Sequence, residues 1–159
     1  MRDLFEDLGV LVRKIWIASD HAGFELKARL VEILQQHRDD FQTELIDLGP
    51  TSAARVDYPD FAKLVCREVL QHSDSRGILI CGSGQGMAIA ANRHRHIRAA
   101  LCWSETAAEL ARAHNDANVL CLGARLIEAD LAVKILKVFL STAFEGERHV
   151  GRIQKLDQD

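Results

Sequence analysis

Apolar and polar residues follow two patterns that alternate along the chain. Short runs that are apolar at nearly every position, of which KIWIAS from Lys14 and GILICG from Gly77 are the clearest, predict buried β-strands. Longer segments with apolar residues three and four positions apart, such as Phe24 to His37, predict helices with one apolar face. The pattern therefore predicts strands and helices in turn.

The same alternation continues through the rest of the chain. Further strands are predicted to begin at Glu44, Ile97 and Asn118, and further helices are predicted over Phe61–Gln71, Ala88–Asn92, Glu105–His114 and Asp130–Thr142. Strands joined by helices of this length form βαβ units with parallel strands. Strands that are apolar throughout are covered on both faces. We therefore predict one doubly wound, three-layer α/β domain with a parallel sheet of about five strands.

The two ends of the chain differ from this central region. Residues 14–153 are assigned to the domain. Residues 1–13 form an N-terminal extension with leucines at helical spacing, and no role is assigned to it. The tail from Glu145 to Asp159 is polar and is predicted to form a last helix that leaves the domain body.

Composition excludes several classes of function. Hydrophobic residues make up 48% and charged residues 27% of the chain, which is typical of a soluble globular protein. The net charge of -3 argues against a nucleic-acid partner, and no apolar stretch is long enough to span a membrane. The four cysteines form no C-x-x-C pair, so a zinc ribbon is not indicated and reduced thiols in a cytoplasmic protein are expected.

The most unusual loop follows the strand that begins at Gly77. Ligands of open parallel sheets bind outside the carboxyl ends of the strands, and here Cys81-Gly82-Ser83-Gly84-Gln85-Gly86 leads into a helix. Glycines let backbone N–H groups face a ligand. The positive end of the following helix favours a thiolate at Cys81. A thiolate is a suitable base for removing a proton next to a carbonyl. A tight turn with Cys81 as a core residue is the alternative. The spacing G-x-G-x-G fits neither a dinucleotide fingerprint nor a P-loop.

Three other stretches carry candidate polar residues, and each has a structural alternative. Asp20-His21 follows the first strand, where Asp20 equally suits a helix N-cap. His114 is either an acid–base group that works near neutral pH or the polar end of a helix. Arg148 and Arg152 share one face if the tail is helical, which suits a phosphate, although a solvated basic face is the alternative.

Six stretches of the chain, taken in order, carry a resemblance to a known family. They are IASDHAGFELK (Ile17–Lys27), DYPDFA (Asp57–Ala62), GILICGSGQGMAIAANR (Gly77–Arg93), IRAALC (Ile97–Cys102), AHNDANVLCLGAR (Ala113–Arg125) and FEGERHVGRI (Phe144–Ile153). Together they resemble ribose-5-phosphate isomerase B and its relatives. The resemblance runs from about Lys14 to Ile153 and is far more specific than a lone glycine loop.

The resemblance implies a Rossmann-like domain that interconverts ribose 5-phosphate and ribulose 5-phosphate in the pentose phosphate pathway, without metal or cofactor. Cys81 matches the family's proton-abstracting cysteine and His114 the residue that opens the furanose ring. Ser83 is expected to help the glycine loop stabilise the enediolate. The implied substrate-binding residues are Asp20, His21, Gly82, Ser83, Gly84, Gln85, Gly86, Asn115, Arg125, Arg148 and Arg152, with the arginines mostly at the phosphate.

The resemblance also implies partners. Family members are homodimers or homotetramers whose sites combine residues of two subunits, and the presence of Cys81, His114 and both tail arginines in one chain favours a homo-oligomer. Two other functions stay open from the residues alone. One is an isomerase of a six-carbon sugar phosphate, such as allose 6-phosphate or galactose 6-phosphate, and the other is a noncatalytic phosphosugar- or nucleotide-binding module.

Overall fold

A computed structural model of the protein describes residues 12–37 and 43–158. Its elements are β1 (Lys14–Ser19), α1 (Phe24–Gln36), β2 (Glu44–Asp47), α2 (Tyr58–Gln71), β3 (Ser75–Cys81), α3 (Gln85–Ala91), β4 (Ala99–Leu101), α4 (Glu105–Asn115), β5 (Val119–Gly123), α5 (Ala129–Ser141), a 3-10 turn (Glu147–His149) and α6 (Val150–Lys155). Of the predicted extension 1–13, only Val12 and Arg13 lie within the described residues.

The connections of the sheet create a crevice at one place. All five strands are parallel, in the order β2-β1-β3-β5-β4. The helix α1 leads from β1 to its neighbour β2, and α2 then crosses back to β3 on the other side of β1. The chain therefore changes direction between β1 and β3, and such a switch point opens a crevice at the carboxyl ends of the two strands. The loops that begin at Asp20 and Gly82 both leave from this point.

Apolar helix faces cover both sides of the sheet. Successive residues of β3 point to opposite faces: Ile78 and Ile80 belong to the core beneath α1, α4 and α5, whereas Leu79 and Cys81 belong to the core beneath α2 and α3. Each aliphatic side chain buried in this way contributes about 1.5–3 kcal/mol relative to exposure. The pleat of β3 thus decides that the side chain of Cys81 lies on the same side of the sheet as α2 and α3.

The predicted fold class is confirmed, and the strand count agrees. Two helices begin three residues earlier than predicted, and α5 begins one residue earlier, at Ala129. The first turn of α2 starts at Tyr58 rather than Phe61, because Pro59 fits the start of a helix, where its missing N–H needs no partner. The start of α3 is Gln85 rather than Ala88. A glycine is favoured at position 86, inside α3, because a Cβ there would lie only 3.0 Å from the ring of Tyr58.

The tail forms the predicted helix but does not leave the domain. Both carboxylate oxygens of Asp157 contact His96, at 2.8 Å from the backbone N and 2.9 Å from Nδ1. These bonds hold the tail against the basic turn at residues 93–96, which follows α3. Residues of the tail and of this turn line a cavity of about 560 Å³. None of the helices in the described part of the chain is long and apolar enough to cross a membrane.

Candidate active site

Cys81 is the last residue of β3 and lines the crevice beside β1. The backbone N–H of Gly84 donates to its Sγ at 3.1 Å. This contact requires a tight turn, in which Gly84 has a left-handed φ of 74°. A Cβ at Gly84 would lie 2.5 Å from Leu101 Cδ1, so the position has no room for a side chain. The turn therefore directs a backbone N–H donor at the sulfur of Cys81.

The loop after β5 fixes the glycine turn from the other side. The N–H groups of Ala124 and Arg125 donate to the carbonyl oxygens of Cys81 and Gly82, each at 2.9 Å. The Arg125 guanidinium lies against Gly82, since a Cβ built there would meet Arg125 Nη1 at 3.3 Å. The fold therefore places the positively charged guanidinium beside Gly82, the residue that follows Cys81.

The loop after β1 completes the crevice. Asp20 Oδ1 accepts the N–H groups of Ala22 and Gly23, at 2.9 and 3.0 Å. Asp20 therefore braces the turn before α1, whose N-cap is Gly23 and has no side-chain cap. His21 Nδ1 lies 3.2 Å from the Val56 carbonyl oxygen. Because a carbonyl only accepts, Nδ1 carries the proton of this bond, and Nε2 stays available to a ligand.

These groups enclose a pocket of about 380 Å³. Its lining residues are Asp20, His21, Ala22, Tyr58, Cys81, Gly82, Ser83, Gly86, Arg125 and Leu126. A volume of about 300–1,000 Å³ is usual for small-molecule sites. A thiol, a carboxylate, an imidazole and a guanidinium around a glycine turn can bind an anionic, hydroxylated molecule and move its protons.

His114 lies elsewhere. With Asn115, His149, Arg152, Ile153 and Leu156 it lines a second pocket of about 290 Å³. The two pockets have no lining residue in common. Within one chain, the structure therefore does not bring Cys81 and His114 to the same ligand-sized site.

A pair of arginines fixes the end of α4 that carries His114. Asp116, the C-cap, is left-handed with a φ of 44°. Arg112 Nη1 donates to its Oδ1 at 2.7 Å, and Arg98 Nη2 donates to its Oδ2 at 2.9 Å. Arg98 Nε also donates to the Asn115 carbonyl at 3.0 Å. These bonds offset the cost of an unfavourable backbone conformation and fix the direction of the last helical turn.

The second pocket contains a stacked pair of imidazoles. The rings of His114 and His149 lie 4.5 Å apart and 13° from parallel. Arg148 Nε donates to His149 Nε2 at 3.3 Å. Burial, and then the neighbouring His114 and Arg148, lower the pKa of His149, while Glu145 opposes the shift. We therefore expect His149 to be neutral at neutral pH.

Most of the predicted site residues line one of the two pockets, but Gly84, Gln85 and Arg148 line neither. Gly84 faces β5 and acts on the site through its bond to the thiol. Gln85 is the exposed first residue of α3. Arg148 lies in the 3-10 turn, where its Nε contacts His149, whereas Arg152 lies in α6 and lines the second pocket.

Tyr58 and His149 also line the pockets, although neither is among the predicted site residues. Tyr58 is the one tyrosine of the chain and stands in the DYPDFA stretch, which was noted only for its resemblance. His149 stands between the two tail arginines, and its imidazole was the available signal. Their roles depend on contacts between elements that are distant in sequence.

One set of described residues has the composition of a metal site. Ligand atoms of His114, Glu145 and His149 all lie within 4.8 Å of one another. Two features disfavour a cation there. The imidazole rings are stacked rather than converging, and the Arg148 N–H already donates to His149 Nε2, which engages that lone pair.

The remaining cysteines are core residues. Burial raises the pKa of both Cys66 and Cys102 to about 12, and it raises the pKa of Cys121 as well. Such thiols are unreactive near neutral pH. Among the four cysteines, only Cys81 lines either of the two pockets described above.

Comparison with known proteins identifies the family. The Ribose/Galactose Isomerase family matches residues 15–156. The chain belongs to this family. The predicted resemblance is thereby confirmed, and the matched range contains both pockets.

Individual members of the ribose/galactose isomerase family are similar over nearly their whole length. Ribose-5-phosphate isomerase B of Escherichia coli K12 is 40% identical over 145 residues, covering 91% of this chain and 95% of that protein. The crystal structure of a ribose 5-phosphate isomerase from Thermotoga maritima has a TM-score of 0.88 and 51% identity, covering 92% of this chain and 99% of the other. The Mycoplasma genitalium enzyme, solved with bound ribulose-5-phosphate, has a TM-score of 0.84 and 45% identity, covering 93% and 96%.

Proposed function

We propose that this chain is a ribose-5-phosphate isomerase, which interconverts ribose 5-phosphate and ribulose 5-phosphate through an enediolate. The observation that carries the proposal is the Cys81 thiol, which lines a ligand-sized pocket and accepts an N–H bond from the glycine turn. Family membership and a relative solved with ribulose-5-phosphate support the choice of substrate.

Cys81 is the base in this proposal. Its thiolate removes the proton from C2 of the open aldose, and negative charge develops on O1. Backbone N–H groups of the turn 82–86 and the Ser83 hydroxyl stabilise that charge. A proton passes from O2 to O1, and the Cys81 thiol returns its proton to C1, which gives the ketose with its carbonyl at C2. A well-placed base contributes about 10²–10⁴-fold to the rate, and one preorganised oxyanion donor about 3 kcal/mol.

The rest of the site comes from a second copy of the chain. The chemistry needs a ring-opening group and a phosphate grip next to Cys81, yet His114, Asn115 and Arg152 lie in the other pocket. A homodimer or homotetramer that joins the two pockets would supply them, with Arg125 close to the thiol and Arg152 across the interface. Ile89 and Trp103 support an interface, because these large apolar side chains are 66% and 64% exposed in the single chain.

The proposed reaction needs neither a metal nor a cofactor. It moves one proton from C2 to C1 and one from O2 to O1, with no net transfer of electrons to an acceptor, and the residues described above supply the base and the charges. All four cysteines are free thiols, which is typical of a reducing compartment. We therefore propose that the enzyme acts in the cytoplasm, and the proposed reaction is a step of the pentose phosphate pathway.

A coupled assay tests the proposal. The purified protein is offered ribose 5-phosphate, allose 6-phosphate and galactose 6-phosphate, with and without EDTA. We expect turnover with ribose 5-phosphate, no effect of EDTA and a loss of at least about 10²-fold in Cys81→Ala. A variant that keeps full activity would exclude Cys81 as the base, and a preference for either six-carbon substrate would change the assigned activity.

Alkylation separates an enzyme from a noncatalytic binding module. We expect iodoacetamide to modify Cys81 fast near pH 7.5, with ribose 5-phosphate protecting it. Cys66 is the internal control, because a thiol with a pKa of about 12 is ionised to only about three parts in a hundred thousand at that pH. Equal rates at the two cysteines would contradict an activated thiolate at Cys81.

A further inference from the structure

Glu145 lies between the two imidazoles of the second pocket. Its Oε2 is 3.7 Å from His114 Nε2 and 3.6 Å from His149 Nε2. One carboxylate oxygen thus faces the same nitrogen of both rings, while the rings stack on each other. Sequence reasoning predicted no role for Glu145, and the function proposed above does not use it.

A backbone hydrogen bond fixes the position of Glu145 beside the last turn of α4. The Glu145 N–H donates to the Ala113 carbonyl oxygen at 3.0 Å, directly before His114 in the chain. The next residue, Gly146, has a left-handed φ of 71°, and the His149 N–H donates back to the Gly146 carbonyl at 2.9 Å. This tight turn brings His149 over His114 and keeps Glu145 beside both.

The chemistry of ring opening gives this carboxylate a use. In a furanose, an imidazole takes the proton of the anomeric hydroxyl, the C1–O4 bond breaks as the C1=O1 bond forms, and the imidazolium gives the same proton to O4. The imidazole is neutral at the beginning and at the end of this step, but it is an imidazolium cation in between. A carboxylate beside the imidazole stabilises that cation and orients the ring.

The other charges around His114 act in the opposite direction. Arg148 and Arg152 are permanent cations on the 3-10 turn and on α6, and Arg152 lines the same pocket. His149 is buried and accepts from Arg148, which keeps it neutral beside the second ring. Within the part of the chain that the structure describes, the Glu145 carboxylate is the one anion within ion-pair distance of His114 and His149. Asp116, at the end of α4, is paired with Arg112 and Arg98.

We propose that Glu145 is a positioning residue for the ring-opening step: it stabilises the cation that forms on His114 and holds that imidazolium in place. This inference rests on the proposed isomerase function. It predicts that Glu145 matters when the substrate enters as a ring and does not matter for proton abstraction at Cys81.

The experiment compares two reactions of Glu145→Gln, a change that removes the charge and keeps the shape. The first is conversion of ribose 5-phosphate, which enters as a furanose. The second is exchange of the C1 proton of ribulose 5-phosphate with D2O, followed by NMR, which needs no ring opening because this ketose is acyclic. We expect kcat for conversion to fall about tenfold and proton exchange to stay within about twofold. The matched control is Glu147→Gln, two residues away and exposed, which should leave both rates unchanged.

A second readout does not depend on turnover. The carboxylate of Glu145 raises the pKa of His149, against the stronger effects of burial and of the neighbouring cations. In the free protein, NMR titration should therefore show a lower midpoint for His149 in Glu145→Gln and no change in Glu147→Gln.

The outcomes separate this inference from the proposed function. An inactive wild-type protein that also fails to exchange protons would overturn the function, whatever the histidine titration shows. Wild-type activity with equal losses in both reactions of Glu145→Gln would make Glu145 a general structural residue and overturn the inference. Unchanged conversion, or an unchanged His149 midpoint, would overturn it too.

Discussion

Mixing two inactive variants gives the sharpest test of how the two pockets combine. Cys81 and His114 line pockets without a common residue, so one chain does not hold a complete site. If the site forms between two copies, it takes Cys81 from one and His114 from the other. Cys81→Ala and His114→Ala should each be inactive alone, because every site then lacks one group.

The recovered activity follows from counting sites. When equal amounts of the two variants are unfolded together and refolded, random pairing makes about half of the dimers mixed. In a mixed dimer, one site receives both alanines and the other receives both native residues. Half of the sites in half of the dimers are then intact, so we expect about a quarter of wild-type activity.

A coupled assay on the refolded mixture measures this value, and a second mixture provides the control. Wild-type chain mixed with the double variant has no intact site in its mixed dimers, so about a quarter of wild-type activity should remain. Sites contained within single chains give a different pair of values: no activity in the first mixture and about half in the second. That pair would refute the shared site.

Two further variants test how the fold supports the site. Gly84→Ala should lose about 2–4 kcal/mol in the free energy of unfolding by urea, because it combines a φ of 74° with a Cβ only 2.5 Å from Leu101. Gly82→Ala is its control and should be nearly neutral in stability, since its Cβ meets only the flexible end of a side chain at 3.3 Å, and equal losses would contradict this argument. Lys27→Met should lose about 1.5–2 kcal/mol, because the buried Lys27 Nζ bonds both oxygens of Asp47 at 2.6 and 2.7 Å while the Asp47 side chain, 38% exposed, stays partly solvated without it, and a loss below about 0.5 kcal/mol would show that this pair contributes little.

The local chemistry of the thiol could be read from the sequence because it depends on neighbours in the chain. Cys81 ends an apolar strand, and the three glycines that follow allow the turn that directs an N–H to its sulfur. The fold class was also predictable, because the spacing of apolar residues reports which faces of each element are buried. Boundaries were less accurate where tertiary contacts decide them, as at the start of α3, where Gly86 packs against Tyr58.

Spatial assembly of the site is a different matter. The family resemblance placed Cys81 and His114 in one list of catalytic residues, but the sequence contains no direct information about which strand lies beside which. The order β2-β1-β3-β5-β4 brings the loops after β1 and β3 to one crevice and leaves the end of α4 at another.

The tail shows the same limit. Its polar composition predicted a helix that leaves the domain, whereas bonds from Asp157 to His96 and from Glu145 to Ala113 return it to the domain surface. By itself, the sequence determined the secondary structure and the chemical character of the glycine turn, because both depend on short-range sterics and hydrogen bonding. Only the tertiary structure decided that the thiol and the imidazole occupy separate pockets, because that separation depends on strand order and helix packing between residues far apart in the chain.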